Sequence, residues 1–131
     1  MALELHLVTP EREVWTGEAE MVVARGTEGE VGILAGHAPM LIRLAIGALR
    51  WRTGGRWRAA VVDGGFLHVT SEGGRTRVDV LAAHAQLADE IDLAAAEVRA
   101  EEARRRLEER EDAEARAALA KALARISVAR G

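Results

Sequence analysis

The chain contains no cysteine, only two prolines, a single lysine and no apolar stretch of membrane-spanning length. Without cysteine, a disulfide framework and a thiolate zinc site are both excluded, which fits a reducing compartment. Without a run of about 18 apolar residues there is no candidate transmembrane helix. Charge of one sign is missing too: residues 1–88 carry 10 acidic and 9 basic groups, residues 89–131 carry 11 and 9, and the formal net charge is −3. Neither half therefore offers the one-signed surface that binds nucleic acid or an anionic membrane. A strand pattern starts at Leu3, so no leader segment is expected. The lone lysine, Lys121, stands against 17 arginines, a bias that carries no functional reading. The 131 residues suffice for one core, or for a small domain with an appendage.

What is present first is a series of short apolar segments. Leu3, Leu5 and Leu7 alternate with Glu4 and His6, the period of a strand buried on one face, which turns His6 outward. Further strands are expected at residues 14–15, 21–24, 40–46, 66–69 and 76–80, the third ending at Gly47. Turns are expected at residues 9–10, 16–17, 26–29, 63–65 and 72–74, where glycine or proline punctuates the chain. Such spacing describes a β-sandwich or barrel. The most legible hairpin joins Arg50-Trp51-Arg52 to Arg56-Trp57-Arg58. A three-residue loop, Thr53-Gly54-Gly55, pairs Trp51 with Trp57 and segregates the four arginines on the other face. The alternative, a two-residue Gly-Gly turn, mixes the faces. Alternating arginine and tryptophan could serve single-stranded nucleic acid, but the neighbouring acids favour an ordinary hairpin.

The composition changes after Leu81. Residues 92–131 hold 13 alanines, no proline and no glycine before the terminus, which is helical material. Asp92 is placed to cap a first helix with Ala96, Ala100, Ala103 and Leu107 on one face, flanked by the pairs Glu101–Arg105 and Glu102–Arg106. The charged run at residues 108–112 interrupts it, and Asp112 caps a second helix with the stripe Ala115, Leu119, Ala122, Leu123 and Ile126. The expected fold is α+β in two parts, an antiparallel β-sandwich over residues 1–86 and an antiparallel helical hairpin over residues 87–131. A buried leucine contributes roughly 1.5–3 kcal/mol, and this hairpin has few. Weak docking with high helicity permits a switch; the simpler alternative is a permanently docked hairpin.

No chemistry announces itself. The glycines of Gly29-Glu30-Val31-Gly32-Ile33-Leu34-Ala35-Gly36-His37-Ala38-Pro39 match neither phosphate-binding spacing. Histidines 6, 37, 68 and 84 lack metal-ligand spacing, and Ser71 and Ser127 lack a nucleophile's context. The glycine-rich stretch is then a rigid contact surface. Its histidine has two readings, a contact with a partner or a hydrogen bond closing its own turn.

Four segments together resemble the ε subunits of rotary F-type ATP synthases: Val8-Thr9-Pro10-Glu11-Arg12, the stretch from Gly29 to Pro39, Gly64-Gly65-Phe66-Leu67, and Leu119-Ala120-Lys121-Ala122. The resemblance runs from about Leu3 to Val128 and implies a non-catalytic central-stalk subunit. It implies a sandwich that joins the γ subunit to the c-ring, with Glu30, Gly36 and His37 in the ring-docking loop, so that proton flow is coupled to ATP synthesis. It implies a hairpin that can extend into the catalytic α/β hexamer and inhibit hydrolysis, with Arg116, Lys121 and Arg125 as the cationic contacts. The chain ends without the basic tail of longer members. It also implies a peripheral place at the cytoplasmic face of the bacterial plasma membrane, with neither nucleic acid nor a membrane span involved. Some members bind regulatory ATP through Ile/Leu-Asp-x-x-Arg-Ala. Here Asp92, Lys121 and Arg125 match, but Ala95 replaces the arginine and Gln86 a nearby acid, so little or no ATP binding is expected and Asp92 reads as a helix cap. The competing class is a free-standing sandwich module that self-associates through its helices.

Overall fold

The computed structural model describes residues 1–131. Eight strands come first: β1 Leu3–Val8, β2 Glu13–Ala19, β3 Met21–Gly26, β4 Gly29–Leu34, β5 Met40–Thr53, β6 Arg56–Glu72, β7 Arg75–Ala82 and β8 Ala85–Leu87. A 3-10 turn at Ala88–Glu90 leads into α1 Leu93–Glu109 and α2 Ala113–Arg130. Strand order is β2-β1-β7-β6-β5-β3-β4, with β8 on β6. β1 and β7 run parallel, and every other pair is antiparallel.

Two strands are longer than the sequence suggests. The expected stops at Gly47 and at Asp63-Gly64-Gly65 are not stops: β5 and β6 pair in one register from Met40↔Val69 to Thr53↔Arg56. Gly64 and Gly65 take φ of 86° and 119°, which redirect the strand without reversing it. Beyond Gly65, β6 pairs with β7; before it, β6 pairs with β8. The two strands thus pass from one layer of the sandwich to the other. The inward-facing set changes parity at the crossing, from Ala60 and Val62 to Leu67 and Val69. That change hides the strand from any period-two reading.

Between the layers lies one core. Leu5, Leu7, Leu67, Val69, Val78 and Val80 come from one layer, and Val22, Ala24, Ile33, Leu49, Trp51, Ala60 and Val62 from the other. Trp51 tilts against Trp15 with ring centroids 5.1 Å apart.

The tryptophan hairpin uses the two-residue turn, correcting the three-residue expectation. Thr53 pairs with Arg56, Trp51 with Arg58 and Arg52 with Trp57. Gly54 and Gly55 sit at φ of 57° and 75°, the primed turn whose twist matches the strands. Trp51 is consequently 0% exposed and Trp57 53% exposed. Further along the same outward side Val61 is fully buried and Ala48 lies beside α2, so that face is apolar where the helices cover it.

α2 lies on β5 and β6, and α1 packs on α2. Both expected caps form: Asp92 accepts from the N–H of Ala95 at 3.0 Å and Asp112 from that of Ala115 at 3.1 Å. The buried residues are Ala96, Ala100 and Ala103 on α1, and Ala115, Ala122, Arg125 and Val128 on α2. Leu123, expected in the stripe, is 41% exposed. Neither expected i,i+4 ion pair forms; Arg106 turns instead to Asp112 at 2.8 Å, because the capping carboxylate is already fixed beside the last turn of α1. Neither helix is long and apolar enough to cross a membrane.

Candidate functional site: a docking edge and a helical arm

The glycine-rich stretch folds into β4 and the loop after it. β4 is an edge strand of the sheet, so one row of its backbone groups has no neighbouring strand. Glu30 stands near its start, exposed, with a loose ion pair to Arg50 at 3.6 Å. Gly36 and His37 lie beyond its end. The four steps of strand from Glu30 to Leu34 span about 13 Å, so the three residues expected in one docking loop are not clustered. A partner touching all of them must lie along β4, where Leu34 is 56% exposed.

The loop itself is held firmly. The N–H of Gly36 donates to Oγ1 of buried Thr76 at 2.7 Å, and the N–H of His37 donates to the Leu34 carbonyl at 3.1 Å. Nδ1 of His37 lies 2.7 Å from the Ala38 carbonyl and, facing an acceptor, must carry the proton. The ring therefore closes its own turn. Neighbouring turns gather at the same end: Thr53 Oγ1 donates to the Glu18 carbonyl and Gly55 N–H to Glu20 Oε1.

On the arm, the cationic residues separate. Arg116 is exposed and doubly bonded to Glu111 at 2.8 and 2.7 Å, which holds the Glu111 carboxyl below its ordinary range. Lys121 lines a cleft of about 470 Å³ with His84, Gln86, Arg99, Arg106 and Arg125. Asp92 is not in that lining. The three residues matching an ATP motif are thus split, Lys121 and Arg125 in the cleft and Asp92 at the start of α1. Arg99 and Arg106 were missed as cleft residues, although their seven-residue spacing places them on one face of α1. Replacing Asp92 by alanine should cost the hairpin about 1 kcal/mol, read as a lower melting temperature of the helices, while Asp92→Asn, which still caps, should be close to neutral.

Arg125 is buried. Nη1 and Nη2 donate to Asp63 Oδ1 and Oδ2 at 3.0 and 2.9 Å, Nε donates to Gln86 Oε1 at 3.0 Å, and Nη1 also donates to the Lys121 carbonyl at 3.1 Å. Asp63 escaped notice in the sequence because an Asp-Gly-Gly run reads as a turn. A second contact fixes the base of the arm: Arg12 donates to both carboxylate oxygens of Glu90 at 2.9 and 2.7 Å, and Leu87 N–H donates to Glu90 Oε1 at 2.9 Å. The Arg12 bonds first, and the Leu87 N–H next, hold the Glu90 carboxyl below its ordinary range.

The site is thus a β-sandwich with a glycine-shaped edge strand, carrying a helical arm whose buried residues are mostly small. Residues 2–88 match the family described as ATP synthase, Delta/Epsilon chain, beta-sandwich domain. The chain is 46% identical over 132 residues to the ATP synthase epsilon chain of Thermobifida fusca (strain YX), covering 98% of this chain and 92% of that protein. It is 50% identical over 88 residues to the epsilon chain of Frankia casuarinae, covering 66% of this chain and 99% of that protein, a relative too short to hold both parts. A chain in the Euglena gracilis mitochondrial ATP synthase structure, solved as OSCP/F1/c-ring in rotational state 1, superposes with a TM-score of 0.84 at 27% identity, covering 99% of this chain and 82% of that one. The chain belongs to the ATP synthase epsilon chain family and is a non-catalytic rotor-stalk subunit of that complex.

Proposed function

We propose that the sandwich joins the γ subunit to the c-ring, coupling proton flow to ATP synthesis, and that the arm is a regulatory element able to leave the sandwich and restrain ATP hydrolysis in the α/β hexamer. The observation that carries the regulatory part is the seat of the arm: alanines, one valine and a single buried ion pair, which a competing surface can displace. On this reading the complex sits peripherally at the cytoplasmic face of the plasma membrane. The ring-facing surface is β4 with the loop after it, including Glu30, Gly36 and His37. Arg116 and Lys121 are available as cationic contacts from the docked arm, and Arg125 only after undocking. The docked arm offers regulatory ATP no assembled site. Four of the five N–H donors of Arg125 are engaged and Asp92 caps α1, so of the three motif residues a triphosphate would meet only Lys121.

Mixing the chain with a γ subunit should give a tight one-to-one complex; a chain that self-associates and ignores γ would remove the proposal in favour of a free-standing module. Within the assembled complex, Gly36→Val and His37→Ala should weaken coupling to the ring with γ binding kept. Gly36 has φ of +89° with open space around it, so the valine strains the backbone without invading the core. Loss of γ binding in these variants would mark the loop as a folding element instead.

A further inference from the structure

We infer that Asp63 and Arg125 form the latch that keeps the arm closed, with Gln86 as its neutral third member. Every side-chain hydrogen bond between the two helices and the sandwich is made by Arg125. Every other ion pair of the helices is internal to the hairpin: Glu101–Arg104, Arg106–Asp112, Glu111–Arg116 and Glu97–Arg130. The latch also differs from these in burial, with side chains 10% exposed at Arg125 and 7% at Asp63.

The two halves of the latch stand on unequal supports. Asp63 belongs to β6 beside the crossing at Gly64, opposite Ile46 in the ladder, and its N–H donates to the His84 carbonyl at 2.9 Å. Its position is therefore set by the sheet. Arg125 belongs to α2, whose remaining buried contacts are Ala115, Ala122 and Val128. Upstream of α1, Glu90 is clamped to the sandwich by Arg12, so the residues free to turn as the arm leaves are Ile91 and Asp92.

Charge explains why such a contact can both hold and release. Closing the arm takes two charges out of water, and their attraction, with the added hydrogen bonds, offsets that loss. Opening returns both charges to water together, so the closed state is only moderately favoured. Neutralising one partner leaves the other buried and unpaired in the closed state alone, which tips the equilibrium towards open. A competing carboxylate surface that captures Arg125 acts in the same direction. The latch itself stands on geometry; its use in regulation rests on the reading proposed above.

Amide exchange on the full-length chain tests it. Asp63→Asn and Arg125→Gln should each accelerate exchange of the α2 amides roughly tenfold or more, since an undocked helix of this length is marginal in water. The β7 amides should stay protected, showing that the sandwich remains folded. The double variant Asp63→Leu with Arg125→Leu, which replaces the pair by apolar contact, should return α2 to within about threefold of native. Unchanged α2 exchange in both single variants overturns the latch, and so does a double variant as open as the singles. In the reconstituted ATPase, Asp63→Asn should lower hydrolysis, because it frees the arm with Arg125 intact. Opening in the isolated chain with unchanged hydrolysis keeps the latch and overturns the regulatory reading.

Discussion

A chain ending after Ile91 is expected to assemble into the complex and support ATP synthesis while hydrolysis rises several-fold over the complex with the full chain. The cut belongs there and not at Gln86, where the composition places the boundary. β8 continues to Leu87, paired with Ala60, and Glu90 is bonded to Arg12. Ending at Gln86 would strip an edge from the second layer and confuse lost regulation with lost stability. Ending at Ile91 removes only α1 and α2, which uncovers Val61 and the Asp63 carboxylate but leaves the 19-residue core untouched. Hydrolysis measured with both chains decides the matter, and equal rates would remove the inhibitory role.

The largest effect on folding is expected from Gly65→Val. Any Cβ at Gly65 would stand 2.1 Å from the Leu81 carbonyl oxygen and 2.8 Å from Ala82 Cα. Both are backbone atoms of β7, held in the ladder with β6, and cannot turn aside as a flexible side chain could. The φ of +119° adds strain that side-chain-bearing residues rarely bear. The loss should exceed about 4 kcal/mol, the range reserved for a few severe mechanisms. With a urea slope of about 1–3 kcal/mol/M for a small protein, the midpoint should fall by more than about 1 M. Gly73→Ala is the control: its φ of +58° is left-handed but no atom lies near the new Cβ, so it should lose only about 1 kcal/mol. Equal shifts in the two variants would mean that backbone strain, not close approach, sets the need for glycine. The Gly64-Gly65-Phe66-Leu67 segment thus marks the crossing between layers.

The sequence resolved the two-part fold well and the candidate sites unevenly. Leu3, Leu5 and Leu7 were readable as one buried face because β1 keeps a strict period of two. β6 was not readable, because Gly64 and Gly65 shift its inward set and imitate a turn. The tryptophan hairpin was misread for a related reason. Sorting arginines from tryptophans assumes that one face of the sheet meets water, whereas here the helices cover part of the outer face. Glu30 and His37 belong to one continuous stretch of residues, yet an extended strand holds them apart.

Caps and alternating faces depend on residues within about four positions, so Asp92, Asp112 and the faces of β1 and β7 could be assigned before any fold was known. Asp63 and Arg125 lie 62 residues apart. Their meeting depends on where β6 crosses between layers and on how two alanine-lined helices settle over it. No local pattern encodes either event. Folding thus recast Arg125 from a free surface cation into the buried contact that holds the arm.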